Sequence, residues 1–450
     1  MSIEVSNVVK KINVRPVILF LFLFLLFLAW NLLLVPLNLD EVWNYGFAHN
    51  IYSGLVPYKD FNMILTPFYP FLMSLGFHLF GSNMLVFHIE QAIILTILCF
   101  MLFYLLKEKA WFIILFFFFP LSFSFPSYNL FLFFLFILLI ILEKKNANDY
   151  LIGFVLGLSI LTKQSVGFCL FLVSFYYVKD FKKFLKRIIG MLVPVGIFGI
   201  YLIFSDSWKE FLDLCIFGLF DFSKNSNGIN LYFFILLFMV VFTIYKIFKD
   251  RKNIYLYYSL AFYSVMIPLF DTYHFQVAFL AFLMIFLSRP LHIRIQPILF
   301  SMGVIFGVMF VSFIHVLDQK VVYPNDIFRF EYRLLDYDSI QFTKEVNSYM
   351  KKHKNKEFFF LSSNGYYFRL VNDMSISYID LINQGNWGYR GSDKLLKVVK
   401  EKKNSIFFVD EEELSPIKQS DKRAIRYVIR HGKKIGSIRI FDIYIFDKNE

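Results

Sequence analysis

Cysteine and charged residues are both scarce in this sequence, and each scarcity excludes a class of protein. Cysteine occurs three times in 450 residues, at Cys99, Cys169 and Cys215. The segment 318–450 has none, which excludes a disulfide framework or a thiolate metal site there. Charged residues make up 18% of the chain, whereas hydrophobic residues make up 58% and include 62 phenylalanines. An ordinary soluble enzyme does not have this composition.

Long apolar runs recur from Pro16 to about Leu317, and such runs cross a bilayer as helices. The first run follows basic residues like a signal peptide, but it is long and lacks a small-x-small cleavage pattern, so we expect a retained anchor. The fold class predicted for 1–317 is a polytopic α-helical membrane protein with about eleven spans. Their predicted bounds are 16–36, 84–106, 110–125, 127–142, 150–162, 164–178, 187–204, 229–248, 254–271, 273–287 and 295–317.

The formal net charge is +12, and the charged residues are distributed as the predicted spans require. Lysine and arginine concentrate in the loops of one face, and most loop carboxylates fall on the other. By the positive-inside rule, this predicts a multi-pass protein of the cell membrane with a cytoplasmic N-terminus and an extracytoplasmic C-terminal domain. Because topology accounts for the charge, we expect no nucleic-acid partner.

The segment 318–450 has a different character, with dense charge and short apolar runs. It predicts a small α/β domain, outside the membrane and on the same side as the loop 37–83. No glycine-rich phosphate fingerprint follows its strands, which argues against a nucleotide cofactor. The predicted helices are 339–353 and 392–402, and the predicted strands are 357–361, 405–409, 435–440 and 441–446.

The same domain is expected to flank the exterior cavity and to act on the acceptor of a reaction there. Its segment 382–390 combines glycine, polar residues and Trp387. An exposed tryptophan in a glycine-rich loop suits carbohydrate recognition, and an ordinary surface loop is the alternative.

An acidic pair, Asp40 and Glu41, follows the first apolar run, and Asp60 comes about twenty residues later. Ionised carboxylates at a membrane surface mark either a solvated loop or a reaction site. Aromatic residues surround them, either as an interfacial belt or as surfaces that stack on a sugar. From these residues alone, both readings stay open.

The spacing of the surrounding residues resembles the first exterior loop of the GT-C glycosyltransferases. Within that superfamily, the protein O-mannosyltransferase-like and lipid A aminoarabinose transferase-like branch is the most similar. The resemblance covers 37–81 closely and extends more loosely to about residue 290. It implies a multispan enzyme that uses a polyprenyl-phosphate-linked sugar, with the first-loop acid in the catalytic role. The matching pattern is Asp40-Glu41-x-x-x-Tyr45, Gly54-x-x-Pro57-Tyr58-x-Asp60, Thr66-Pro67, Leu72 and Phe80-Gly81.

A second element is the glycine-containing run 156–165, which holds Lys163 and Gln164. A lysine between two apolar runs is ordinarily a snorkelling residue at a helix end. However, Lys163 falls on the exterior face, where lysines are few. The resemblance implies that such a lysine meets the donor phosphate, which a lysine binds as a point charge.

A third element, Asp271-Thr272-Tyr273-His274, lies at the predicted exterior hinge between two spans. It is either a solvated turn or, as the resemblance implies, a place where Tyr273 and His274 bind phosphate or sugar. The family more often has arginine at this hinge. His88 and Glu90, near the exterior start of a span, either pack as a pair or line the cavity.

Two functions from different classes fit these features. A transporter or flippase of lipid-linked sugars would share the hydrophobicity, but we find no internal repeat and no midplane charges of the kind such proteins carry. A membrane glycosyltransferase is therefore predicted, acting on a glycan, lipid or protein acceptor of the cell envelope. No ligand spacing predicts a metal site, and a divalent cation stays open as a cofactor. Asp40 and Glu41 are the predicted catalytic residues, and the predicted substrate-binding residues are Asp60, Tyr58, Lys163, Gln164, Tyr273 and His274.

Overall fold

A computed structural model gives the fold of the chain. It describes residues 14–33, 37, 39–115, 126–178, 180–224, 228–288, 321–322, 330, 335–372, 382–383, 385–402, 404–416, 418 and 420–446. The predicted span 295–317 and most of the predicted span 110–125 lie outside these residues.

Among the described residues, the N-terminal part as far as residue 115 contains five α-helices. The predicted span 84–106 is confirmed to the residue as a helix, because the Asn83 side chain accepts a hydrogen bond from the Val86 amide at 2.9 Å and fixes its start. The predicted first exterior loop, 37–83, contains two helices. The bounds are α1 (Val14–Leu33), α2 (Leu39–Tyr52), α3 (Phe68–Phe80), α4 (Met84–Leu106) and α5 (Ala110–Ile113).

Six helices follow between residues 128 and 224. Glycines allow α7 and α9 to pack closely: a Cβ at Gly153 would lie 2.1 Å from the Arg187 carbonyl oxygen. A π-helical turn, Asp213–Phe217, joins α10 to α11. The bounds are α6 (Tyr128–Lys144), α7 (Asp149–Thr162), α8 (Gln164–Val178), α9 (Phe181–Phe204), α10 (Trp208–Leu212) and α11 (Gly218–Lys224).

Helix α9 begins six residues before the predicted start at 187. The missed turn is rich in lysine, which hid it from a search for apolar runs. Asp180 caps it, since its carboxylate accepts from the Lys182 amide at 2.9 Å and the Lys183 amide at 3.4 Å.

Helices α12 (Leu231–Lys249), α13 (Ile254–Phe262) and α14 (Thr272–Leu287) complete the described apolar part. The predicted span 254–271 ends early: α13 passes into a 3-10 turn and stops at Met266. Ile267, which precedes Pro268, is extended, with φ −98° and ψ 127°. A residue before proline is disfavoured in the helical region, so the chain leaves the helix there.

Four of the described helical segments are long and apolar enough to cross a membrane: Arg15–Leu32, Met84–Ile113, Phe181–Phe204 and Leu231–Lys249. Five further apolar helices are shorter. They include α3, whose 13 residues rise only about 20 Å against a hydrocarbon core of about 30 Å. The count of eleven spans stays a prediction.

The C-terminal part contains a sheet of four strands in the order β3-β4-β6-β5. Strands β3 and β4 are parallel, and the other neighbours are antiparallel. All residues of β3 and β4 are buried, because helices cover the sheet. The strands are β1 (Val321–Val322), β2 (Leu335–Asp336), β3 (Phe358–Leu361), β4 (Ile406–Asp410), β5 (Lys433–Ile438) and β6 (Phe441–Ile445); the helices are α15 (Tyr337–Lys352), α16 (Gly365–Val371), α17 (Gly391–Glu401) and α18 (Lys422–His431).

The C-terminal part packs directly on α2. Tyr366, on α16, lies against Gly46, where an added Cβ would be 2.0 Å from the tyrosine Cε1. The Tyr366 ring also meets Phe47 edge-on, with 5.8 Å between centroids. The prediction that Trp387 is exposed was wrong: its side chain packs with the sheet core and is 7% exposed.

Candidate functional site

Asp40 lies in the first turn of α2, outside the predicted spans, and is partly exposed. Burial by the surrounding protein raises the pKa of its carboxyl group; His274 and Lys163 oppose the rise, and Asp271 adds to it. The three residues that act on Asp40 come from the ends of other helices. A carboxyl group with a raised pKa is a better proton acceptor than an ordinary one.

Lys163 is the break between α7 and α8. Its backbone is extended, with φ −151° and ψ 107°. The two helices fold back on each other, and glycine at position 167 permits the close approach: an added Cβ there would lie 2.2 Å from the Ile160 amide nitrogen. The lysine thus occupies the tip of a helical hairpin. Its residue is 8% exposed.

Among the described residues, the acceptors of the Lys163 ammonium group are neutral. Nζ donates to Asn129 Oδ1 at 3.2 Å and to the Val265 carbonyl oxygen at 3.3 Å, and it lies 5.5 Å from the centroid of the Tyr128 ring. Among the residues described, no carboxylate lies within ion-pair distance of it. A buried cation without a direct counter-ion attracts an anionic ligand.

Asp271 caps α14 and holds His274. Its Oδ1 accepts from the His274 amide at 2.8 Å, and both carboxylate oxygens lie 2.9 Å from His274 Nδ1. Tyr273, the next residue, has its hydroxyl 2.6 Å from Ser127 Oγ. The histidine is 7% exposed. The carboxylate therefore fixes the orientation of the imidazole ring, which interacts electrostatically with Asp40.

Sequence reasoning missed the start of α6 as part of this cluster. Ser127, Tyr128 and Asn129 contact Tyr273 or Lys163, and Asn129 is fully buried. A polar residue inside an apolar run was the available signal, because burying an amide costs free energy unless something binds it.

Glu41 is turned away from Asp40. Its Oε1 lies 2.7 Å from His88 Nε2, and both side chains are fully buried. The packing partner of His88 is therefore Glu41 and not Glu90, whose Oε1 accepts from the Gly76 amide at 3.1 Å. The catalytic role of Glu41 stays a prediction; in the structure its carboxylate is enclosed with His88, whereas Asp40 is partly exposed.

Tyr58 and Asp60 lie in the turn that follows α2, and the substrate contact of Tyr58 stays a prediction. Tyr58 is 1% exposed, and its hydroxyl donates to the Leu65 carbonyl oxygen at 2.8 Å. Asp60 Oδ2 accepts from the Val56 amide at 2.7 Å. The Asp60 carboxylate stabilises the turn in which Tyr58 adopts a φ of 72°. Asp60 itself is partly exposed.

Gln164 joins three segments. Its Nε2 donates to the Ile64 carbonyl oxygen at 3.2 Å and to the Cys215 carbonyl oxygen at 3.1 Å. The hairpin tip is thereby attached to the loop before α3 and to the π-helical turn. Gln164 is next to Lys163 in sequence, but its described contacts are with backbone.

The structure thus brings Asp40, Lys163, Tyr273 and His274 into one cluster, together with Asp271. In the part of the chain that the structure describes, no group of three or more His, Cys, Asp or Glu residues could hold a metal ion.

Comparison with solved structures identifies the fold. The chain is similar to ArnT from Cupriavidus metallidurans bound to undecaprenyl phosphate, with a TM-score of 0.58 and 10% identity over 96% of this chain and 98% of that one. The apo state of ArnT gives 0.55, at 10% identity over 95% and 97% of the two chains. The sequence matches no protein-family model and no curated protein.

A third similar structure is the oligosaccharyltransferase of Archaeoglobus fulgidus in complex with Zn and sulfate. Its TM-score is 0.41, with 13% identity over 96% of this chain and 74% of that one, and a score that low does not establish a shared fold. The similarity to ArnT spans nearly the whole of both chains. The resemblance predicted from residues 37–81 is therefore confirmed at the level of the fold: this chain has the fold of ArnT.

Proposed function

We propose that this protein is a membrane glycosyltransferase that moves a sugar from a polyprenyl-phosphate donor to an acceptor of the cell envelope. One observation carries the proposal. The ammonium group of Lys163 is buried without a direct counter-ion among the described residues, and it interacts electrostatically with the Asp40 carboxylate. A cation for the leaving group and a base for the acceptor are what such a transfer needs. The shared fold with ArnT, which was crystallised with undecaprenyl phosphate, supports the choice of donor.

The leaving group determines the role of Lys163. When the bond between the anomeric carbon and the phosphate oxygen breaks, its electron pair stays on the polyprenyl phosphate and increases the negative charge there. A nearby fixed cation stabilises that charge as it develops. Lys163 is the principal cation of this kind, and His274, oriented by Asp271, adds to it. Because phosphate is a weak base, no acid is required to protonate it.

The acceptor determines the role of Asp40. A hydroxyl oxygen of the acceptor attacks the anomeric carbon and must lose its proton, which Asp40 accepts as the general base. Direct displacement of this kind inverts the anomeric centre. Asp60 is partly exposed, and we assign it to orienting substrate hydroxyls.

Other predicted residues support this site indirectly. Glu41 holds His88 and so fixes the first turn of α2. Tyr58 and Gln164 support the backbone around the hairpin tip. Tyr273 precedes His274, and its ring contacts the histidine ring edge-on while its hydroxyl lies next to Ser127 Oγ. We assign Tyr273 to binding phosphate or sugar.

The membrane orientation belongs to the same proposal. Residues 1–317 form the catalytic membrane domain with about eleven spans, and 318–450 form a domain outside the cytoplasm. Asp40 and Lys163 then face the exterior, where the headgroup of a lipid-linked donor lies at the interface while its chain stays in the bilayer. A lipid-phosphate donor requires this arrangement.

Mass spectrometry of envelope glycans tests the proposal in cells. Cells that lack the gene should lose one glycan modification, which the wild-type gene restores and an Asp40→Asn gene does not. Identical glycan profiles in the presence and absence of the gene would contradict a transferase. The identity of the lost residue would give the sugar, and the molecule that carries it would give the acceptor.

A further inference from the structure

The C-terminal domain contacts the membrane domain at the π-helical turn. Asp213, the first residue of this turn, accepts a hydrogen bond from the Tyr389 amide through Oδ1 at 3.2 Å. Its Oδ2 forms an ion pair with Lys394 of α17. One carboxylate of the membrane domain thus binds both a backbone amide and a lysine of the C-terminal domain.

The backbones of the two domains also touch at this place. A Cβ at Gly218 would lie 2.9 Å from the Gly388 Cα, and one at Gly388 would lie 2.3 Å from Asp213 Oδ2. Gly388 also has a φ of 75°, which favours glycine. The two glycines therefore permit a close backbone contact, and a side chain at either position would force the two segments apart.

The opposite side of the same turn is attached to the hairpin that carries Lys163. Cys215 lies two residues after Asp213, and its carbonyl oxygen accepts the hydrogen bond from Gln164 Nε2 at 3.1 Å. In the π-helical turn the Gly218 amide bonds to the Asp213 carbonyl oxygen, five residues back. Such turns depart from the α-helical pattern and are frequent at functional sites.

We propose that Asp213 is a positioning residue through which the C-terminal domain holds Lys163 in place to bind the donor phosphate. The path runs from Lys394 and Tyr389 to Asp213, along the π-helical turn to Cys215, and through Gln164 to Lys163. It departs from the expectation that this domain acts on the acceptor, and it rests on the proposed role of Lys163. Loss of the contact at Asp213 loosens the hairpin tip and weakens donor binding.

Binding of undecaprenyl phosphate to the full-length protein in nanodiscs tests this path. Asp213→Asn keeps an acceptor for the Tyr389 amide but loses the ion pair, and Gly218→Ala separates the backbones. Each should raise the dissociation constant about three- to fivefold, the effect expected from losing a surface contact of this kind. In transfer assays the donor KM should rise while the acceptor KM stays unchanged.

Matched variants separate positioning from general damage. Glu357→Ala removes an ion pair of similar exposure with Lys402 inside the C-terminal domain. Gly199→Ala adds a methyl group where no atom lies within 4 Å. Neither should change donor binding. The exchanged pair Asp213→Lys with Lys394→Asp restores the ion pair but not the acceptor for the Tyr389 amide, so it should bind the donor better than Asp213→Lys alone without reaching the wild-type affinity.

The reactivity of Lys163 with an amine-selective reagent, read by mass spectrometry, gives a second measure that needs no ligand. Asp213→Asn should change the labelling rate of Lys163, and Glu357→Ala should not. If the wild-type protein does not bind undecaprenyl phosphate, the proposed function fails, and this labelling rate alone decides the coupling. Unchanged donor affinity and unchanged Lys163 labelling in folded Asp213 and Gly218 variants would overturn the inference.

Discussion

Glu41 Oε1 and His88 Nε2 lie 2.7 Å apart, and neither side chain has any surface open to solvent. Two neighbouring carboxylates, Asp40 and Glu41, thus have different environments: Asp40 is partly exposed and interacts electrostatically with Lys163 and His274, and Glu41 is buried against His88. The helical geometry of α2 produces this difference, because successive side chains on a helix point about 100° apart. An acidic pair in the sequence therefore divides into one partly exposed carboxylate and one that is buried against a histidine.

Glu41→Ala should destabilise the protein, because it leaves His88 buried without its carboxylate. Breaking a buried pair in this way costs on the order of 3 kcal/mol, whereas Glu41→Gln, which retains a hydrogen-bond acceptor, should cost about 1 kcal/mol. Thermal unfolding in detergent measures both. Glu210→Ala, on the exposed face of α10, is the control. A Glu41→Gln protein with normal stability but no transfer would return Glu41 to the catalytic residues.

The activity of the enzyme should depend on pH through Asp40. Only the deprotonated carboxylate accepts a proton, and burial raises the pKa of this group above its usual value of 3.8. Transfer should therefore decline, as the pH falls, at a higher pH than an ordinary aspartate would give. The acidic limb of kcat/KM against pH measures this, and an acidic limb at or below the usual aspartate range would contradict the assignment.

Lys163→Ala should weaken use of the donor by about tenfold or more, and Lys163→Arg should keep part of it, because the positive charge is retained. Acceptor KM should change little in either variant. Donor titrations in nanodiscs measure the effect, and Lys209→Ala, an exposed lysine of α10, provides the matched control. An unchanged donor affinity in Lys163→Ala would make this lysine an ordinary residue of a helix end.

The membrane orientation predicts which cysteines an impermeant thiol reagent reaches in intact cells. Ser437→Cys, on an exposed strand of the C-terminal domain, should react from outside. Lys252→Cys, in an exposed turn after α12 and on the predicted cytoplasmic face, should react only after permeabilisation. A background with Cys169→Ser removes the one native cysteine that is not fully buried. The reverse labelling pattern would invert the topology and place Asp40 in the cytoplasm.

The sequence predicted those helices whose ends are marked by charged residues. Helix α8 was placed to the residue because it lies between Lys163 and the basic segment after Val178. The start of α9 was missed because its first turn is basic, and the short α16 was missed because its seven residues show no clear period. Local patterns determine an apolar run, whereas a short or polar helix depends on caps and tertiary contacts.

The site was predicted in part for a similar reason. Asp40, Lys163 and His274 stood out as charges at the ends of apolar runs, and the structure places them together. Asn129 did not stand out, since its role depends on a contact with Lys163 across 34 residues. The buried positions of Glu41 and Tyr58 also depend on packing partners distant in sequence, His88 for Glu41 and Phe211 for Tyr58.

The release of free polyprenyl phosphate from a polyprenyl-phosphate sugar tests the central claim most directly. Purified protein in nanodiscs would be incubated with lipid-linked sugars and envelope acceptors extracted from the same cells, and the lipid products would be followed by mass spectrometry. The wild-type protein should release polyprenyl phosphate and glycosylate the acceptor in equal amounts. The Asp40→Asn variant should bind the donor but should release polyprenyl phosphate from it on the order of a hundredfold more slowly than the wild-type protein. Absence of release by the wild-type protein, or equal rates for both proteins, would contradict the account.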